Sequence, residues 1–78
     1  MSKYKLQVTG NIQLGDYSDI NDYIDIVDAK DEFLLSFDGV DNENVQLICK
    51  ILKNKNFLIR SEITDKEGKI YIQAEKRS

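Results

Sequence analysis

The sequence predicts an α+β two-layer sandwich, with elements in the order β-α-β-α-β-β and two helices on one face of a four-stranded mixed sheet. Three observations carry this prediction. Apolar and polar residues alternate over 3–9, 32–37 and 57–75, the two-residue period of strands with one buried face. Two stretches between them repeat apolar residues at i, i+3, i+4 and i+7, the period of an amphipathic helix. Each helix has one apolar stripe, so both must bury that stripe against a sheet, which gives two layers.

The first strand is expected at Lys3–Thr9, with Tyr4, Leu6 and Val8 facing the core. The alternation continues through Ile12 and Leu14, so Gly10 marks either a bulge in a longer strand or a Gly-Asn hairpin turn. The reading favoured here is one strand followed by an irregular link. Ser18 or Asp19 is then placed to cap a helix carrying the stripe Ile20, Tyr23, Ile24 and Val27. Asp19, Asp22, Asp25 and Asp28 would cover the opposite face. Aspartate is a poor helix former, so this helix must depend on packing.

Glu32–Phe37 is the most apolar stretch and is expected to be a central strand, with Phe33, Leu35 and Phe37 on one side and Leu34 and Ser36 on the other. Asp41 or Asn42 should cap the second helix, whose stripe is Val45, Ile48, Cys49 and Leu52. Lys50, Lys53 and Lys55 lie toward its C-terminal end, where cations suit the helix dipole. The last element is a hairpin. Phe57, Ile59, Ser61 and Ile63 alternate with Leu58, Arg60, Glu62 and Thr64, a turn follows at Asp65-Lys66-Glu67-Gly68, and Ile70, Ile72 and Ala74 alternate with Tyr71, Gln73 and Glu75. Glu75–Ser78 reads as a polar tail. The sheet face away from the helices would then carry Lys5, Gln7, Thr9, Leu34, Ser36, Arg60, Glu62, Tyr71, Gln73 and Glu75. Element order resembles small folds such as bacterial sulfur-carrier proteins, Alba-type chromatin proteins and the C-terminal domain of initiation factor three. The likeness is one of fold, and fold does not fix function.

Length and composition bound the function. Residues 1–78 are enough for one small domain. At 41% hydrophobic and 32% charged, the chain is too apolar and too periodic to be disordered. Its longest apolar run, Phe33-Leu34-Leu35, is far short of a membrane span. The single cysteine, Cys49, excludes an internal disulfide, and the first residues lack the apolar core of a signal peptide, so a reducing cytoplasm is the expected location. There is no histidine, which removes the commonest general base and metal ligand, and Ser18, Ser36 and Ser61 have no imidazole to activate them. The four glycines match no phosphate-cradling spacing. No enzyme activity and no cofactor is expected.

Three features remain as binding candidates. Asp16, Asp19, Asp22, Asp25, Asp28 and Asp31 recur every third residue. On a helix each such step falls about 60° short of a full turn, so the row fans around the helix and cannot converge on one ion. It reads instead as an acidic surface, either simply solvated or meeting a basic protein partner. Charge is skewed the same way: residues 1–40 hold eight acids and three lysines, residues 41–78 six acids and eight bases. On the second helix Leu47 and Ile51 lie off the core stripe, where they fill the groove between helices or form a surface for self-association. On the outer sheet face, Lys5, Arg60 and Tyr71 combine cations with an aromatic ring, the makings of a nucleic-acid contact, but Glu62, Glu75 and the acidic whole disfavour it. Cys49 falls mid-stripe among apolar residues. It is expected to be a buried hydrophobe, a carrier or redox role being the alternative. The leading expectation is a non-catalytic protein-interaction or regulatory module with an acidic helix surface.

Overall fold

The computed structural model describes residues 2–77. Its elements are β1 Lys3–Thr9, α1 Leu14–Ile26, β2 Glu32–Asp38, α2 Asn42–Asn54, β3 Phe57–Thr64 and β4 Ile70–Lys76. They form the α+β architecture the sequence predicts, with one four-stranded mixed sheet in the order β1-β2-β4-β3. β1 pairs parallel with β2, β4 pairs antiparallel with β2, and β3 pairs antiparallel with β4. β1, β2 and β3 therefore run the same way. α1 returns the chain to the neighbouring strand, while α2 carries it over β4 to the far edge.

The core lies between sheet and helices. Phe33, Leu35 and Phe37 of β2 are at most 1% exposed, so the most apolar strand is indeed interior to the sheet. Ile20 and Ile24 of α1, with Val27 just beyond it, and Val45, Ile48, Cys49 and Leu52 of α2 close over them. Phe33 is the hub. Its ring stacks on Tyr23 of α1 at 5.4 Å and meets Phe57 of β3 at 6.1 Å, and Tyr23 in turn packs edge-on against Tyr4 of β1 at 6.1 Å.

Four local expectations are corrected. First, α1 begins at Leu14, so neither Ser18 nor Asp19 is its cap. The Asp16 carboxylate accepts the Gln13 N–H at 2.8 Å and occupies one of the helix's first free donors, which lets the helix start one and a half turns earlier. Leu14, whose spacing continues the strand alternation, is instead a helical residue that points into solvent at 86% exposure. Gly10, with φ +69°, follows the last residue of β1 and donates its N–H to the Asp38 carbonyl, so one strand over Lys3–Thr9 and then an irregular link, the reading favoured above, is the one observed. Second, Asp28 lies past the end of α1 and does not extend its acidic face.

Third, β3 does not alternate throughout. Ile59 pairs with Ala74 and Ser61 with Gln73, leaving Arg60 as an extra residue in a bulge. A bulge shifts the two-residue phase by one. Beyond it, Ser61 and Ile63 pair with the outward-facing Gln73 and Tyr71, and Glu62 pairs with the buried Ile72. Ile63 thus leaves the core series for the outer face at 59% exposure, and Glu62 leaves the outer face for the helix side, where Gln46 of α2 donates to its carboxylate at 3.5 Å. Fourth, Glu75 and Lys76 are not tail residues but the end of β4.

The turn before β2 hangs on Asp31, the one charged side chain that is buried among the described residues. Its carboxylate accepts the Ser2 N–H at 2.7 Å and the Asp28 N–H at 3.0 Å. These two bonds, Asp28's first, hold the carboxyl below the ordinary aspartate range. A depressed folded-state pKa contributes stability that is present above the unfolded value, about pH 4, and is lost as pH falls through the folded value. Asp31→Asn replaces one of the two accepting oxygens with an NH2 that faces an N–H donor. The variant is expected to melt below the native protein at pH 7, and the gap should close as the native carboxyl titrates in acid. Thermal melts from pH 7 down to pH 2 check this; a gap that stays constant with pH would remove the carboxylate from the account.

Candidate functional site

The six evenly spaced aspartates have different fates. Asp16 is spent on the start of α1 and Asp31 on the turn before β2. Asp28 is exposed but stands in that turn. Asp19, Asp22 and Asp25 remain as an exposed acidic surface on α1. Among the described residues, none of these three makes an ion pair. The ion pairs present are Lys3–Glu32 at 3.7 Å and Arg60–Glu75 at 2.7 Å, each joining neighbouring strands, and Lys69–Asp38 at 4.0 Å, which ties the residue before β4 to the end of β2. Asp19, Asp22 and Asp25 are therefore uncompensated, whereas Lys3, Arg60 and Lys69 are each matched by a carboxylate. No group of three or more metal-ligating side chains converges among the described residues.

Tyr23 fixes which flank of α1 borders β1, because its ring meets Tyr4 there. At 3.6 residues per turn, Asp19 (four residues before Tyr23) and Ile26 (three after) share that flank, and Asp22 lies beside them. Asp19 thus lies on the β1 flank of the helix side, Asp22 follows it round toward the outer crest of α1, and Asp25, about 160° round from Tyr23, lies on the other flank.

Leu47 and Ile51 separate. Ile51 packs against the core, while Leu47 is 44% exposed. Lys5 and Tyr71 line a groove of about 600 Å³ on the outer sheet face, with Leu34, Ser36, Gln73 and Ile63. Arg60 does not line it. Its guanidinium donates to Glu75, a bond that raises the arginine's pKa and lowers the carboxyl's. Two of the three residues read as a nucleic-acid contact thus share a groove, and the third is already held by a carboxylate. Ile63 is the groove residue the two-residue pattern misplaces. The available signal was Ser61, since an unbroken alternation puts a hydroxyl in the core row, a mismatch that a bulge removes.

Cys49 is 4% exposed on the core side of α2. Burial pushes its thiol up, the Glu62 carboxylate adds to this, and Lys53 opposes it. Both stronger influences disfavour the thiolate, the form that acts as nucleophile.

Compared with protein-family models, curated proteins and solved structures, the chain gives no match. No described helix is long and apolar enough to cross a membrane.

Proposed function

We propose that this protein is a non-catalytic interaction module that receives a partner protein with a basic surface against α1. The carrying observation is the contrast in compensation: Asp19, Asp22 and Asp25 are exposed without an ion pair among the described residues, whereas Lys3, Arg60 and Lys69 are each matched by a carboxylate. Uncompensated charge of one sign steers and selects a partner of the other. The buried, thiolate-disfavouring Cys49 supports a non-catalytic role, and the Arg60–Glu75 pair speaks against phosphate binding on the outer face.

The test is capture of partners on immobilised native protein and on the variant with Asp19→Lys, Asp22→Lys and Asp25→Lys, each after nuclease treatment. Like-charge juxtaposition costs several kcal/mol at an interface, so the reversal should weaken capture by at least about tenfold, and added salt should weaken capture by the native protein. Unchanged capture by the variant rejects the reading. Capture that disappears with nuclease would instead favour nucleic acid at Lys5, Arg60 and Tyr71.

A further inference from the structure

Among the described residues no strand pairs with β1 on the side away from β2, beside the flank of α1 that carries Asp19, and the backbone polarity of this edge can be read from its two ends. Glu32 donates its N–H to the Ser2 carbonyl, and Gly10 donates its N–H to the Asp38 carbonyl. In a parallel ladder one strand bonds its neighbour at every second residue. With β1 in register Lys3 to Glu32 through Thr9 to Asp38, the even residues from Ser2 to Gly10 face β2. Lys3, Lys5, Gln7 and Thr9 therefore turn their N–H and C=O groups outward. The opposite edge of the sheet is different: β3 is interrupted by the Arg60 bulge, which breaks the regular spacing a new strand would need. β1 has no bulge and no proline over its seven residues.

We propose that β1 accepts an extended segment of the partner as a fifth, antiparallel strand, and that this segment carries basic side chains at alternate positions. The proposal rests on the reading of α1 as the docking surface for a basic protein. The charge pattern follows from strand geometry. Residues of an incoming strand opposite Tyr4, Leu6 and Val8 point to the helix side, where Asp19 lies on the flank of α1 nearest the edge and Asp22 follows it round the helix, within reach of a long basic side chain. Those opposite Lys3, Lys5 and Gln7 point to the outer face, where neutral or acidic groups fit beside two lysines. Opposite charges across a strand pair stabilise and like charges oppose. A second copy is disfavoured for the same reason, since pairing β1 with β1 would bring two acidic α1 flanks together. Backbone bonds supply affinity in such strand addition, and alternate side chains supply selectivity.

The probe is an alternating lysine–threonine peptide with blocked termini and the length of β1, tested by NMR hydrogen exchange and titration. On saturation, the Lys5 and Gln7 amides should exchange at least about tenfold more slowly, because they pass from solvent to a hydrogen bond. In an antiparallel pair the threonines opposite Lys5 and Gln7 carry the bonding amides. N-methylation of those threonines should therefore abolish binding, and N-methylation of the lysines should leave it within about threefold. Binding without protection of Lys5 and Gln7, or binding indifferent to which residues are methylated, overturns strand addition while leaving the acidic surface in place. Absence of binding by the unmethylated peptide, or a native chain that already dimerises through β1, also overturns it. If the Asp19→Lys, Asp22→Lys variant binds the peptide as tightly as the native protein, the underlying reading of α1 falls instead.

Discussion

Phe33→Ala is expected to leave the domain largely unfolded at room temperature. Phe33 is fully buried and joins three elements, stacking on Tyr23 of α1 and meeting Phe57 of β3 from its own place in β2. Truncating a buried phenylalanine costs about 3–5 kcal/mol in lost transfer energy and cavity. At a stability of about 5 kcal/mol, toward the lower end of the about 4–12 kcal/mol expected for a chain of this length, that loss leaves little folded population, and so small a domain has little area with which to refill the gap. Urea unfolding followed by circular dichroism should show the folded baseline shortened or absent. A loss below about 1 kcal/mol would mean that the hole collapses freely, and that the aromatic chain from Tyr4 to Phe57 does not hold sheet to helix.

The second large effect is kinetic. Native Cys49 should react with iodoacetamide about three to four orders of magnitude more slowly than in urea, at a stability near 5 kcal/mol, where every 1.4 kcal/mol is tenfold in the unfolded population. The thiol is enclosed beside Ile48 and Leu52, and burial holds it in the neutral form. Labelling then waits for opening of the domain, and Phe33→Ala should bring the rate close to the unfolded one. Mass spectrometry of timed samples gives both rates. Fast labelling of the native protein would place the sulfur at a reactive surface and restore the carrier or redox alternative.

The two predictions share a cause. Both depend on a single core with no spare layer: among the described residues the helices cover one side of the sheet only, and the buried apolar residues belong to one cluster. The acidic flank and the open β1 edge lie outside that core, so charge reversal on α1 should alter binding while leaving the fold intact.

What the sequence determined by itself is the periodicity of its segments and hence the order of its elements. The stripes Ile20, Ile24 and Val27 and Val45, Ile48, Cys49 and Leu52 could only be buried one way, and Phe33, Leu35 and Phe37 could only be the middle of a sheet. The hairpin turn was equally legible, because Gly68 supplies the positive φ that the turn requires. The tertiary structure alone decided where those periods start and break. The start of α1 depends on a carboxylate reaching back to one N–H, a contact that hydrophobic spacing does not encode. The phase of β3 depends on which of its residues β4 leaves unpaired, so Ile63 and Glu62 exchanged faces through a bulge set by pairing rather than by composition. The same holds for the candidate surface. Six equally spaced aspartates are identical as a pattern, and only folding separates Asp16 and Asp31, spent on backbone donors, from Asp19, Asp22 and Asp25, left in water on α1. Local period is a property of neighbouring residues, whereas capping, register and charge compensation are set by partners distant in the chain or across a turn.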